Sequence, residues 1–247
     1  MIIIKSASDL ERMRTAGRLA GRVRDEVARR VSPGVTTGEL SDYAGELMRE
    51  MGAESAFLGY RGYPGWICVS VNEEVVHGIP GPRRIDVGDI VSLDVGIRYD
   101  GFIGDTATTV MVGVTDPGVI GLVRATEKAL RAGIDAAQPG RRLSDISHAI
   151  ERAATDSGFT VVRQFVGHGI GRQMHEDPQV PNFGLPGRGP LLKAGMTLAL
   201  EPMVNLGRSA VRVQPDGWTV VAEDGKPSAH FEHTVAVRDG EAEVLTA

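Results

Sequence analysis

The sequence predicts an α+β fold built twice over: two helices followed by strands, then the same order again. The first sign is punctuation, since Pro139-Gly140 lies 106 residues after Pro33-Gly34 and Gly158 lies 106 after Gly52. The second is register, because Ile146, Ser147 and Ile150 then fall on Leu40, Ser41 and Ala44. The third is polar. Val76-His77-Gly78-Ile79 is answered by Gly167-His168-Gly169-Ile170, and Gly88 with Leu93-Asp94 by Gly195 with Leu200-Glu201. Asp105-Thr106-Ala107-Thr108 is echoed more loosely by Glu232-His233-Thr234-Val235. No Pro/Ser-rich linker parts the halves, so residues 1–247 are expected to form one domain of two repeats, roughly 8–112 and 114–247, fused across one continuous sheet.

Ser8-Asp9-Leu10-Glu11 reads as a capping box, in which Ser8 and Glu11 satisfy orphan amides of a first helix reciprocally. Leu10, Met13, Gly17, Ala20, Val23 and Val27 then recur at helical spacing, and Pro33-Gly34 ends the run. A second helix is predicted over roughly Thr37 to Met51, with Leu40, Ala44, Leu47 and Met51 inward and Gly52 as its stop. Val91, Leu93, Val95 and Ile97 alternate with Ser92, Asp94 and Gly96, the pattern of a half-buried strand. Asp100-Gly101 is a hairpin signal, and Phe102 to Val112 returns as the partner strand.

Composition narrows the function. The chain carries 27 Lys+Arg against 32 Asp+Glu, a formal charge of -5, which lacks the basic balance of a nucleic-acid-binding domain. Cys68 is the only cysteine, so an internal disulfide and every multi-cysteine zinc site are excluded and a reducing compartment is expected. The apolar run Met1 to Ile4 is broken by Lys5, far short of a secretory signal, and nothing approaches the ~20 apolar residues of a membrane span. A soluble cytoplasmic protein is expected. Gly makes up 32 of 247 residues, about 13% against a usual ~7%, so glycines must mark turns and close backbone approaches.

The acids carry the chemistry. With a two-residue turn at Asp100-Gly101, Asp94 faces Ala107 and lies diagonal to Asp105; with a four-residue loop the two aspartates oppose each other. Either register sets both carboxylates on one hairpin face within ~8 Å. If that face is buried, two unpaired charges would cost several kcal/mol, and a divalent cation between them is the simplest answer. Glu201 follows the apolar stretch Met196 to Leu200, and Glu232 sits within His230-Phe231-Glu232-His233. Acids in strand-like apolar contexts are rarely left unpaired. With His168 they form a hard, oxygen-rich donor set suited to Mn²⁺, Fe²⁺, Co²⁺ or Zn²⁺. Four carboxylates exceed what one ion needs and suit two ions with bridging acids. His168 and His175 are seven apart, but Gly167, Gly169 and Gly171 argue against a helix that would pair them as ligands.

Asn72-Glu73-Glu74-Val75-Val76-His77-Gly78-Ile79-Pro80, Ser92-Leu93-Asp94-Val95-Gly96, Gly104-Asp105-Thr106-Ala107, Gly167-His168-Gly169-Ile170-Gly171, His175-Glu176-Asp177-Pro178 and Leu200-Glu201-Pro202 together resemble bacterial type I methionine aminopeptidases. The resemblance spans nearly the whole chain. It implies the pita-bread (creatinase/aminopeptidase-like) fold, with an internal pseudo-two-fold duplication and a central curved antiparallel sheet flanked by helices. It implies Asp94, Asp105, His168, Glu201 and Glu232 as ligands of two divalent ions (Co, Mn, Fe, Zn or Ni), with Asp105 and Glu232 bridging. Two cations lower the pKa of a shared water toward neutrality. Glu201 is then the acid/base candidate. His175 is implied as a donor to the developing oxyanion, and His77 as a contact of the scissile amide nitrogen. Phe57, Tyr60, Tyr63, Cys68, Met174 and Trp218 match the methionine pocket. Met174 stands where an aromatic is common and Phe57 where a cysteine is frequent, swaps expected to tune affinity only, since thioether–aromatic contacts are worth ~0.3–1.5 kcal/mol.

The implied activity is metal-dependent removal of N-terminal methionine from nascent polypeptides, at the ribosome, by a monomer with no membrane or nucleic-acid partner. Peptidases of the same fold that cleave Xaa-Pro bonds are the runner-up; they usually carry a large additional N-terminal domain, and only a handful of residues here precede the first helix. A non-catalytic module of the fold would not need the seven polar residues. A phosphate loop at Gly167 to Gly171 lacks the following Lys-Ser/Thr. No long insertion in the second half suggests the type II subclass, and one cysteine cannot build a zinc-finger extension.

Overall fold

The computed structural model describes residues 1–247. Its first half runs α1 (Ala7–Arg30), α2 (Thr37–Glu50), β1 (Glu54–Ser55), β2 (Cys68–Val71), β3 (Glu74–Val76), β4 (Ile90–Tyr99) and β5 (Phe102–Met111). The second half opens with α3 (Pro117–Ala136), α4 (Leu143–Thr155), β6 (Thr160–Val161), β7 (Gly167–Gly169), β8 (Glu176–Val180) and β9 (Thr197–Leu200). It closes with β10 (Met203–Asn205), β11 (Val211–Val213), β12 (Val220–Ala222), β13 (Ser228–His230), β14 (Glu232–Ala236) and β15 (Glu243–Val244). No helix is long and apolar enough to cross a membrane.

One nine-stranded antiparallel sheet takes strands from both halves in the order β1-β4-β5-β14-β9-β7-β8, with β2 added on β4 and β15 on β14. The halves meet at β5 and β14, where Glu232 pairs with Ala107 and His233 with Thr106. That register is the one the duplication demands. If Asp105, Thr106 and Ala107 correspond to Glu232, His233 and Thr234, a two-fold axis through the Thr106–His233 pair exchanges the strands, so Asp105 must lie beside Thr234. Thr234 Oγ1 accepts from the Asp105 amide at 3.0 Å and donates to its carbonyl at 2.8 Å. The punctuation glycines agree: Gly34 and Gly140, Gly52 and Gly158, and Gly88 and Gly195 all adopt positive φ, the region where a Cβ is penalised.

Each half has its own apolar core. Val23, Val27, Leu40 and Leu47 from α1 and α2 pack on Val91, Leu93, Val95 and Ile97 of β4. Leu122, Leu130, Ile146 and Ile150 from α3 and α4 pack on Leu198 and Val235. Full burial of such side chains contributes roughly 1.5–3 kcal/mol each, which anchors helices on one face of the sheet and leaves the other face for polar residues.

Two local expectations are corrected. The first helix is capped by Ser6 with Asp9, not Ser8 with Glu11: Ser6 Oγ accepts from the Asp9 amide at 3.1 Å and Asp9 Oδ2 accepts from the Ser6 amide at 3.1 Å. Both serines have an acid three residues on; the earlier pair follows directly on Lys5, whose amide is held by the Gly195 carbonyl at 2.8 Å. Strand β4 is buried on both faces from Ile90 to Ile97, where alternation suggests half-burial. Its polar face is covered by the walls of a cavity, described below. The hairpin takes the two-residue register: Tyr99 pairs with Phe102, Asp94 with Ala107, Gly96 with Asp105, and Asp100 and Gly101 sit at φ 48° and 75°.

Helix α1 approaches β5 so closely that a Cβ on Gly104 would lie 2.7 Å from Gly17 Cα. Gly104→Ala is therefore expected to lower stability by about 1–3 kcal/mol through overpacking. An unchanged chemical-denaturation midpoint would refute this packing.

Candidate metal centre and substrate pocket

The site is assembled by sheet geometry. Cross-strand pairs place Cys68, Asp94, Ala107 and Glu232 in one row across β2, β4, β5 and β14. A second row brings Gly96 beside Asp105, and Thr234 beside Ala199 and His168. Rows two residues apart share a face, so Asp94, Asp105, Glu232 and His168 project together while Gly96, Ala107 and Ala199 leave room between them. Glu201 joins from the end of β9, with its Oε1 3.5 Å from His168 Nε2. All five residues line a single cavity of about 440 Å³.

One ligand atom each from Asp105, His168 and Glu232 lies within 4.8 Å of the others. His168 Nδ1 is 2.9 Å from the Gly169 carbonyl, which can only accept, so Nδ1 carries the proton and Nε2 faces the acids as a lone pair. A bulge between His168 and Gly169 in the β7–β8 pair aims that ring. On the opposite side of the sheet, Thr106 Oγ1 donates to the Glu232 carbonyl at 2.8 Å and accepts from Arg24 at 2.7 Å, which ties the two strands at their axis.

Burial sets the electrostatics. It pushes the Asp94 carboxyl up to about 7. Burial, then the charge of Asp94, raises Asp105 well above the ordinary carboxylate range. Glu201 and Glu232 are raised by burial first and by the neighbouring acids second. Desolvation, then His175, pushes His168 down to about 4. Asp94 Oδ1, Asp105 Oδ1 and Glu232 Oε1 are buried without a hydrogen-bond partner. Hard oxygen donors left unsatisfied around one neutral imidazole fit a divalent cation. These five residues would hold it.

The walls come from segments distant in sequence. Tyr63 is buried, donates to the Gly78 carbonyl at 2.8 Å and meets Trp218 edge-on at 5.1 Å. Phe57 and Met174 close over Gly96, where a Cβ would lie 2.5 Å from the Phe57 ring. Tyr60 Oη lies 2.9 Å from His175 Nδ1, and the His175 ring sits 4.4 Å from that of His168. His77 holds φ at 60°, a region that costs non-glycine residues energy and that clusters at functional sites, with its ring edge-on to Phe165 and Trp218. Burial drives His77 down to about 4 and the Cys68 thiol up, so Cys68 is a pocket wall with no thiolate character.

Every site residue expected from the sequence lines this one cavity, and the β7–β8 hairpin also brings the rings of His168 and His175 together, a juxtaposition that residue spacing gave no reason to expect. Arg61, Phe165, Val166 and Gly217 also line it and carried no sequence signal, because only folding brings them to the site. His230 was missed too. It is buried, its Nε2 has no partner, and it lies 4.0 Å from Glu232 Oε2; its position two residues before Glu232 was the available clue.

A duplicated α+β unit that gathers three buried carboxylates, the partly buried Glu201 and an imidazole at its seam defines a metal-dependent hydrolase. Residues 11–239 match metallopeptidase family M24, and the chain belongs to that family. It is 48% identical over 246 residues to methionine aminopeptidase 1 of Bacillus subtilis (strain 168), an alignment covering 100% of this chain and 99% of that protein. The crystal structure of methionine aminopeptidase from Thermotoga maritima superposes with a TM-score of 0.98 at 47% identity, covering 100% of this chain and 99% of that one. Prolidase from Pyrococcus furiosus shares the fold, with a TM-score of 0.81 at 22% identity, but this chain covers only 65% of it.

The carboxylates make stability depend on pH in a defined direction. In the unfolded chain they ionise near 4, whereas in the folded chain burial raises Asp94 to about 7 and holds the other three well above their ordinary values. Their contribution is complete below about pH 4 and is lost as pH rises through the folded values. Histidines with depressed values act in the opposite sense, but only below about pH 6.5. The chelator-treated protein is therefore expected to melt at lower temperature as pH rises from about 6.5 to 8.5, with Mn²⁺ restoring it. A melting temperature that holds or rises across that window without metal would contradict the assignment.

Proposed function

We propose that this chain removes the N-terminal methionine of peptides and newly made proteins by metal-dependent hydrolysis. One observation carries the reading: a single cavity joins a carboxylate-rich floor to walls of Phe57, Tyr60, Tyr63, Cys68, Met174 and Trp218. That lining is apolar and aromatic, the surroundings a polarizable thioether favours. Its close relatives carry the matching name, and the prolidase likeness is one of fold alone.

Bound divalent ions supply Lewis acidity and lower the pKa of water toward neutrality. We take Asp94, Asp105, His168, Glu201 and Glu232 as the residues that would hold two of them, among Co, Mn, Fe, Zn and Ni; four carboxylates exceed the charge of one cation. Glu201 stands beside the floor as the proton acceptor from the attacking water and the donor to the leaving amine. His175 has its Nδ1 engaged by Tyr60. When the Tyr60 hydroxyl donates there, Nε2 carries the proton and is free to donate to the oxygen of the carbonyl under attack. His77 contacts the scissile amide nitrogen from the opposite wall. Recognition of a free α-amino group at the acidic floor restricts release to the first residue. The reading treats residues 1–247 as one catalytic unit, its two repeats fused at the seam, acting as a monomer in the cytoplasm on chains leaving the ribosome.

A peptide panel tests this. The metal-loaded protein is expected to release Met from Met-Ala-Ser, to leave Lys-Ala-Ser and Ala-Pro-Ala intact, and to lose activity in chelator. Glu201→Gln is expected to lower kcat by about 10²–10⁴-fold with an unchanged circular dichroism spectrum. Preferential cleavage at proline, or full activity in chelator, would overturn the proposal.

A further inference from the structure

Beside His175 lies a buried ion pair that the chemistry above does not use. Glu176, with its side chain 5% exposed, sits 2.5 Å from the Nζ of Lys5, which is 4% exposed. The other oxygen, Oε1, accepts the backbone amides of Arg172 at 2.9 Å and Gln173 at 3.3 Å. One carboxylate thus binds the segment before α1 to the turn from Gly171 to His175, which joins β7 to β8. That turn carries two cavity residues, Met174 and His175. The fit is tight at its start: a Cβ on Gly171 would stand 2.6 Å from both Glu176 Oε1 and Lys5 Cε, so the ends of both side chains would have to shift. Lys5 is itself fixed, because its amide donates to the Gly195 carbonyl at 2.8 Å.

Buried ion pairs are on average no more stabilising than apolar residues of the same volume, whereas removing one partner strands a charge. The worth of this pair therefore lies in the geometry it imposes. With the ammonium in place, the carboxylate has reason to remain buried and to hold both turn amides. The turn then delivers the His175 ring to within hydrogen-bond reach of Tyr60 and against His168.

We propose that Lys5 is a positioning residue for His175, acting through Glu176 to fix the 171–175 turn. The proposal rests on the reading of His175 as the donor to the substrate carbonyl. Misplacing such a group by about 1 Å can cost about 10²-fold in rate.

Lys5→Met keeps the apolar stem and deletes the charge. It is expected to accelerate hydrogen exchange at the Arg172 and Gln173 amides and to lower kcat on Met-Ala-Ser by about 10–10²-fold. Mn²⁺ affinity measured by calorimetry should hold, because no ligand lies on the turn. In a His175→Ala background the same change should add no further loss, the signature of two residues acting through one contact. Lys5→Met combined with Glu176→Gln keeps an acceptor for the amides with no stranded charge, and should recover both the exchange protection and most of the rate. Equal losses in the wild-type and His175→Ala backgrounds, or turn amides that exchange no faster, would overturn the proposal. Should Lys5→Met alone not fold, the double variant decides: folded, Mn²⁺-binding protein with an unprotected turn overturns it, and protection with activity supports it. A wild-type protein that releases no methionine would instead sink the functional reading, and the exchange measurement would still report on the turn.

Discussion

Four carboxylates facing one another in one cavity are the constraint on which the rest of this structure depends. Asp94, Asp105 and Glu232 are buried, and each keeps an oxygen without a partner. Unpaired buried charge costs several kcal/mol per group, so the fold tolerates this arrangement only by keeping the acids protonated or by meeting them with cations. The rest of the architecture serves that bargain. Helices cover one sheet face with two apolar cores, and the small residues Gly96, Ala107 and Ala199 hold open the space on the other. The pairing of β5 with β14 brings an acid from each half to the same axis.

Duplication explains why the site is at the seam. A unit that carries an acid on the strand at its edge presents two acids when it pairs with its own copy across a two-fold axis. The axis through Thr106 and His233 makes this concrete, since Asp105 and Glu232 then stand on either side of it. Arg24, Thr106 and the Glu232 carbonyl reinforce the junction from behind. The halves differ at the cavity: the second places His168 beside the acids and His175 on the turn between β7 and β8.

Much of this was legible in the sequence, for reasons that are local. Asp100-Gly101 signalled a hairpin and left its loop length open, but either register put Asp94 and Asp105 on one face, and the structure takes the two-residue turn. The repeat spacing located matching glycines, and their shared positive φ shows why glycine recurs. What stayed hidden depended on tertiary competition. Ser6 and Ser8 offer equivalent caps, each with an acid three residues on, and only the folded chain, which pins Lys5 to Gly195, shows which is used. The alternation in β4 signalled one wet face, but walls from residues 57–63, 165–175 and 217–218 cover it. Of these, Phe57, Tyr60, Tyr63, Met174 and Trp218 could be named through family resemblance and not through spacing. Phe165 carried no signal of its own, since an aromatic in a short apolar segment is ordinary, and the one clue to His230 was its place two residues before Glu232.

The most direct test of the central claim is anomalous diffraction from crystals soaked in Mn²⁺. The account expects two peaks inside the cavity, bounded by Asp94, Asp105, His168, Glu201 and Glu232. No peak there, or ions held only by other residues, would contradict it.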